Sequence, residues 1–172
     1  VMVKWIGAIL LIGGAAAYGL HARARLARRV QTLRGLAAAL DLMHAELSCM
    51  CTPTDELLER LCKATAPPLR AFFEDCRNAH RARPDLPVAM IWGRAVHDAE
   101  YLELQPQEAQ TLREVGNALG RYDVEEELRV IAHARRAIEG FEKTAEETRA
   151  RTGRLYASLS LMSGVAVAIM LL

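Results

Sequence analysis

Residues 5–20 read WIGAILLIGGAAAYGL, sixteen positions without a formal charge, and residues 21–29 continue as HARARLARR. As a helix the apolar run reaches roughly 24 Å, short of a hydrocarbon core of about 30 Å but within the range that local thinning and flanking side chains cover. Lys4 can snorkel outward at one end, while Trp5 and Tyr18 are amphipathic rings suited to the two interfaces. The same pattern closes the chain. Leu155–Leu172 holds eighteen uncharged residues, roughly 27 Å as a helix, behind Arg149, Arg151 and Arg154. A cleaved signal peptide is the rival reading of the first run, with Ala15, Ala16 and Ala17 as its small residues. Arg23, Arg25, Arg28, Arg29 and Arg34 oppose it, because a basic cluster after an apolar run resists translocation.

Both arginine groups therefore mark the cytoplasmic side, and both termini are expected outside it. The expected domains are a transmembrane helix with its basic flank at 1–22, a cytoplasmic helical domain at 23–152 and a second transmembrane helix at 153–172. Arg23, Arg25, Arg28, Arg29, Arg149, Arg151 and Arg154 set the topology, with a further capacity to hold anionic lipid headgroups at about 1 kcal/mol each. Gly13 with Ala17, and Ser160, Gly164 and Ala168, fall four apart, a spacing that lets helix backbones approach in lipid and gives a hairpin or an oligomer seam. With little chain beyond either span, function is expected from the middle or from the spans themselves.

Charge separates the middle from the ends. The flanks 1–40 and 148–172 carry 9 Lys/Arg and no Asp/Glu, whereas 41–147 carries 13 basic and 21 acidic residues, a net of −8. Apolar residues in the middle recur at three and four rather than two, so the domain is all-α, a bundle of about five or six helices. A first helix carries Leu33, Leu36, Leu40, Met43 and Leu47 and ends near Cys51. Thr52 as capping hydroxyl, Pro53 at the first helical position and Asp55 then start a second, with Leu57, Leu58 and Leu61 inside. Pro67 and Pro68 open a third that buries Leu69, Phe72, Phe73 and Cys76. A turn over Arg81–Pro87 precedes Val88, Ile91, Trp92 and Val96, where Trp92 reads as a core side chain. A fifth helix follows Pro106, with Leu112, Val115 and Leu119 on one face and Gly120 as terminator. Asp123 and Glu126 repeat the capping signal ahead of a stripe made by Val124, Leu128, Ile131, Ile138 and Phe141. No proline interrupts the chain from there into the second apolar end, so one helix is expected to run through.

Chemistry-bearing motifs are missing: the sequence has no phosphate loop, dinucleotide-binding glycine motif, zinc-protease helix or nucleophile elbow. No cofactor or metal is expected, and no enzymatic activity. Cys49 and Cys51 point about 200° apart on a helix, a poor chelate, so these two with Cys62 and Cys76 read as free thiols in or near the core. The five histidines lack ligand spacing, and Arg135 and Arg136 read as solvated positions, so nucleic acid is not an expected partner.

Taken in order, these elements resemble the stage III sporulation protein AB family. The resemblance rests on Leu33–Leu47 leading to Glu46, on Thr52-Pro53, on Trp92, on Leu119-Gly120 followed by Asp123, and on Gly153–Leu159 entering the last span. Thr54, Cys49–Cys51 and Glu127 depart from the family pattern. The resemblance implies a sporulation role in the channel complex linking mother cell and forespore. It also implies a cytoplasmic domain similar to the inner-membrane platform protein of type II secretion machines. The implied location is the mother-cell side of the outer forespore membrane. The implied partners are a secretion-type ATPase, stage III sporulation protein AA, and other subunits of the same complex. Charge adds that exposed acids such as Glu125 and Glu126 are candidate contacts for such a partner. A homo-oligomer is a further expected partner state, and the alternative reading is a membrane-tethered helical sensor or dimerisation protein without a motor partner.

Overall fold

The computed structural model describes the backbone of residues 2–50, 53–120 and 123–171, and the side chains of residues 21, 23–49, 53–120 and 123–152. Among the described residues six helices follow one another: α1 (Met2–Met50), α2 (Thr54–Ala64), α3 (Leu69–Ala82), α4 (Val88–Asp98), α5 (Pro106–Ala118) and α6 (Val124–Leu171), with one 3-10 turn at Glu100–Leu102. There is no strand among the described residues. By packing, the chain forms two units, residues 31–143 and residues 1–30 together with 144–172.

The first unit is a helical bundle whose core follows the apolar periodicity of each segment. Leu57, Leu58, Leu61 and Cys62 are buried on α2, and Leu69, Phe72, Phe73 and Cys76 on α3. These are positions one turn apart on a single face, the geometry by which a short helix hides its apolar stripe. Leu33, Leu36, Leu40 and Met43 supply the α1 side, and Ile131 and Ile138 the α6 side. Trp92 closes the centre. Its ring meets Phe72 edge-on, with centroids 5.2 Å apart and planes at 89°, and Phe73 at 6.0 Å. Its indole N–H donates to the carbonyl of Leu112 at 2.8 Å, so the one polar atom of the ring is satisfied inside the core.

Helix ends follow local chemistry, with two shifts from expectation. Pro53 is not the first helical residue of α2. At φ −58°, ψ 148° it is extended, and its carbonyl accepts the first helical bond from Leu57 at 2.9 Å, which puts it one position earlier, at the cap. Thr52, the expected cap, lies outside the described residues, as does Cys51. At the start of α6, Asp123 accepts from the N–H of Val124 at 2.9 Å, while Glu126 turns to Arg129 at 3.1 Å instead of reaching back. The expected reciprocal box is therefore absent here, because a cation one turn ahead competes for the Glu126 carboxylate. At the end of α5, Gly120 has φ +69°, the left-handed conformation that stops a helix with least strain.

The second unit contributes described side chains only at 21, 23–30 and 144–152. Val30 and Ala145 are buried, and Arg23, Arg25, Arg28, Arg149 and Arg151 are exposed. Among the described residues no helix is long and apolar enough to cross a membrane. The apolar ends, with Gly13, Ala17, Arg154, Ser160, Gly164 and Ala168, lie outside the residues whose side chains are described.

Candidate functional site

Ion pairs join helices far apart in sequence. Arg34 of α1 reaches Glu142 of α6 at 2.9 Å, and Asp41 of α1 receives Arg135 of α6 at 2.8 Å. Arg135 is thus not a solvated position: it is half-buried and bridges Asp41 and Glu139. Glu46, singled out above, is met by Arg60 of α2, whose Nη1 lies 2.7 and 2.9 Å from its two carboxylate oxygens, and Arg60 also takes Glu56 at 2.6 Å. Glu56 first and Glu46 second hold the guanidinium above its ordinary pKa. On the next seam Arg81 of α3 grips both oxygens of Asp55 at 3.0 and 3.1 Å, which keeps that carboxyl below its usual range. The exposed pairs among these are each worth about 0.2–1 kcal/mol, so they select the register of helix against helix more than they stabilise the bundle.

A second group of expected residues converges at the corner between α5 and α6. Gly120, Asp123, Glu125 and Glu126 all lie here. Glu127, flagged above only as a departure from the family pattern, organises the corner: it is buried, and its Oε1 accepts the N–H of Gly120 at 2.7 Å. The carboxylate thereby satisfies a donor where the chain reverses. Next to the corner is a groove of about 450 Å³ lined by Ala118, Val130 and Ala134 together with Glu114, Glu126, Arg129 and His133. Glu125 is exposed and, among the described residues, has no ion-pair partner.

Glu46 and Pro53 belong to the α1–α2 corner and Trp92 to the core, so these family-like positions serve the scaffold rather than one shared site. Glu108 was missed altogether. It is fully buried, and its carboxylate accepts the N–H of Gln105 at 2.8 Å in a capping box at the start of α5. Gln105, Pro106 and an acid at the third helical position are the signal that announces it.

No group of three or more His, Cys, Asp and Glu among the described residues is placed to hold a metal ion. Cys49 is exposed, whereas Cys62 and Cys76 are buried. Burial pushes the Cys62 thiol up and carries that of Cys76 up to about 12. In a Cys51→Ser chain at pH 8, a maleimide should modify Cys49 readily and reach Cys62 and Cys76 only on unfolding, as read by intact mass. Equal labelling of all three in the folded protein would contradict this packing.

The class these features define is an all-helical bundle latched by surface ion pairs, with an acidic corner and two long terminal helices. The chain belongs to the stage III sporulation protein AB family, whose model matches residues 4–172. It is 23% identical over 172 residues to stage III sporulation protein AB of Bacillus subtilis (strain 168), covering 99% of this chain and 100% of that protein. A solved structure of a stage III sporulation protein AB shares the fold, with a TM-score of 0.66 and 22% identity over 72% of this chain and 98% of that one. Membership supports a role in sporulation, in a family not known for enzymatic activity.

Proposed function

We propose that the protein is a non-enzymatic membrane platform of the mother cell to forespore channel complex, docking a secretion-type ATPase, stage III sporulation protein AA. On this reading the uncharged ends of α1 and α6 span the outer forespore membrane. The bundle lies in the mother-cell cytoplasm, and the arginines at 23–29 and 149–154 lie at the headgroups. The observation that carries the docking is the α5–α6 corner, where Glu125 is exposed and the half-exposed Glu126 lines a groove that also holds apolar Ala118, Val130 and Ala134. Surface charge of one sign steers a partner of the other and makes capture sensitive to salt.

The test is co-purification of the ATPase from sporulating cells with full-length variants. Glu125→Lys with Glu126→Lys should lower the ATPase recovered by about tenfold and shift its salt elution downward, as replacing two attractive charges with two repulsive ones predicts. Glu146→Lys with Glu147→Lys, outside the corner, should leave recovery near that of the parent. Undiminished capture by the corner variant would reject acidic docking at this site.

A further inference from the structure

Three large apolar side chains stand out on the surface among the described residues: Met90 at 62% exposure, Tyr101 at 45% and Val124 at 39%. Val124 was expected on the buried stripe of α6, and its exposure leaves an apolar knob at the head of that helix. Met90 lines a groove of about 320 Å³ between α3 and α4, with Ala79, Leu86, Ile91 and Ala95 forming the rest of its apolar wall. Tyr101 borders the same region through its hydroxyl, which donates to Asp75 at 3.3 Å.

The charges around the groove are nearly all engaged. Asp75 takes the tyrosine hydroxyl, and Asp98 faces Arg94 at 3.7 Å. Arg83, at the end of the groove by the α3–α4 turn, has no ion-pair partner among the described residues. At the head of α6 the charge is the opposite one: Glu125 sits beside Val124 with no ion-pair partner among the described residues, while Glu126 is held by Arg129. An apolar knob next to an acid thus matches an apolar groove next to a base, neither of the two charges having an ion-pair partner among the described residues.

We infer that a second copy of this chain is the occupant: Val124 of one copy enters the α3–α4 groove of the next beside Met90, and Glu125 pairs with Arg83. Knob and groove lie on different helices, so the contact is heterologous, and it generates a ring if the rotation closes or an open row if it does not. This goes beyond the docking reading and involves no ATPase. A 320 Å³ groove admits a few side chains, so the contact is weak alone and depends on copies being concentrated together.

Sedimentation of the purified full-length chain in detergent, without partners, tests it. The wild type should rise in mass with protein concentration. Arg83→Glu and Glu125→Arg should each weaken association by about tenfold or more through like-charge contact, and the chain carrying both should recover to within a few-fold of the wild type. Met90→Ser should also weaken it without altering the circular dichroism. A wild type that stays monomeric throughout, a single variant that associates like the parent, or a double variant that does not recover overturns the proposal. Association that Arg83→Glu abolishes and Glu125→Arg leaves intact would mean a groove-to-groove contact instead.

Discussion

Trp92→Ala is expected to cost about 3–5 kcal/mol, the range for removing a large aromatic from a close-packed core, and to lower the thermal midpoint of the full-length protein by roughly 6–20 °C. Three contacts go at once: the edge-on packing against Phe72, the tilted contact with Phe73 and the hydrogen bond to Leu112. The indole fits because Gly116 has no side chain. A β-carbon there would lie 2.1 Å from Trp92 Cδ1 and 2.2 Å from Cγ, and the ring cannot retreat with Phe72 and Phe73 behind it. Gly116→Ala should therefore destabilise by about 2 kcal/mol or more, the strain of overpacking outweighing the gain in helix propensity. Gly93→Ala is the control, since it lies beside Trp92 on α4 with nothing within 4 Å of a new β-carbon. It should be neutral or stabilising by up to about 1 kcal/mol. Urea unfolding of the three variants checks the order; a Gly116→Ala protein as stable as Gly93→Ala would mean that Trp92 is not seated against α5.

Much of the bundle was legible because it depends on short-range information. The stripe Leu69, Phe72, Phe73 and Cys76, the start of α5 at Pro106 and its stop at Gly120 each follow from residues within a few positions of one another. What escaped depends on how helices meet. Arg135 reads as a surface residue of an acidic helix until α1 is laid beside α6 and Asp41, 94 positions earlier, comes within 2.8 Å. Val124 has the spacing of a core residue, but at the first turn of α6 nothing packs over it closely enough to bury it. Gly116 looks like a mere weakness in a helix, and its role depends on a tryptophan 24 positions away. Of the residues proposed to meet partners, Glu125 and Glu126 were visible as acids near a helix start. Arg83 was not, since its interest comes from lining a groove that only the packing of α3 on α4 creates, with no ion-pair partner among the described residues.

Glu108→Ala is expected to be the next most damaging change, at about 2–3 kcal/mol. Its carboxylate is fully buried, yet it lies where a helix tolerates negative charge, at the third residue of α5 with the N–H of Gln105 donating to it at 2.8 Å. Truncation leaves that donor without its acceptor and opens a void; loss of a cap alone costs about 0.5–2 kcal/mol, and the void adds to it. Glu108→Gln keeps an acceptor oxygen of the same reach and forfeits only the charge at the helix start, so about 1 kcal/mol is expected. The spread between the two variants separates the hydrogen bond from the charge. The damage should also be directional. Hydrogen exchange should quicken first in the opening turn of α5 and less at Leu112 and Val115, which are held against Trp92 and the core one to two turns further on. If Glu108→Ala lies within about 0.5 kcal/mol of the parent, the cap contributes nothing, and the placement of α5 rests on its buried face against Trp92 and the core.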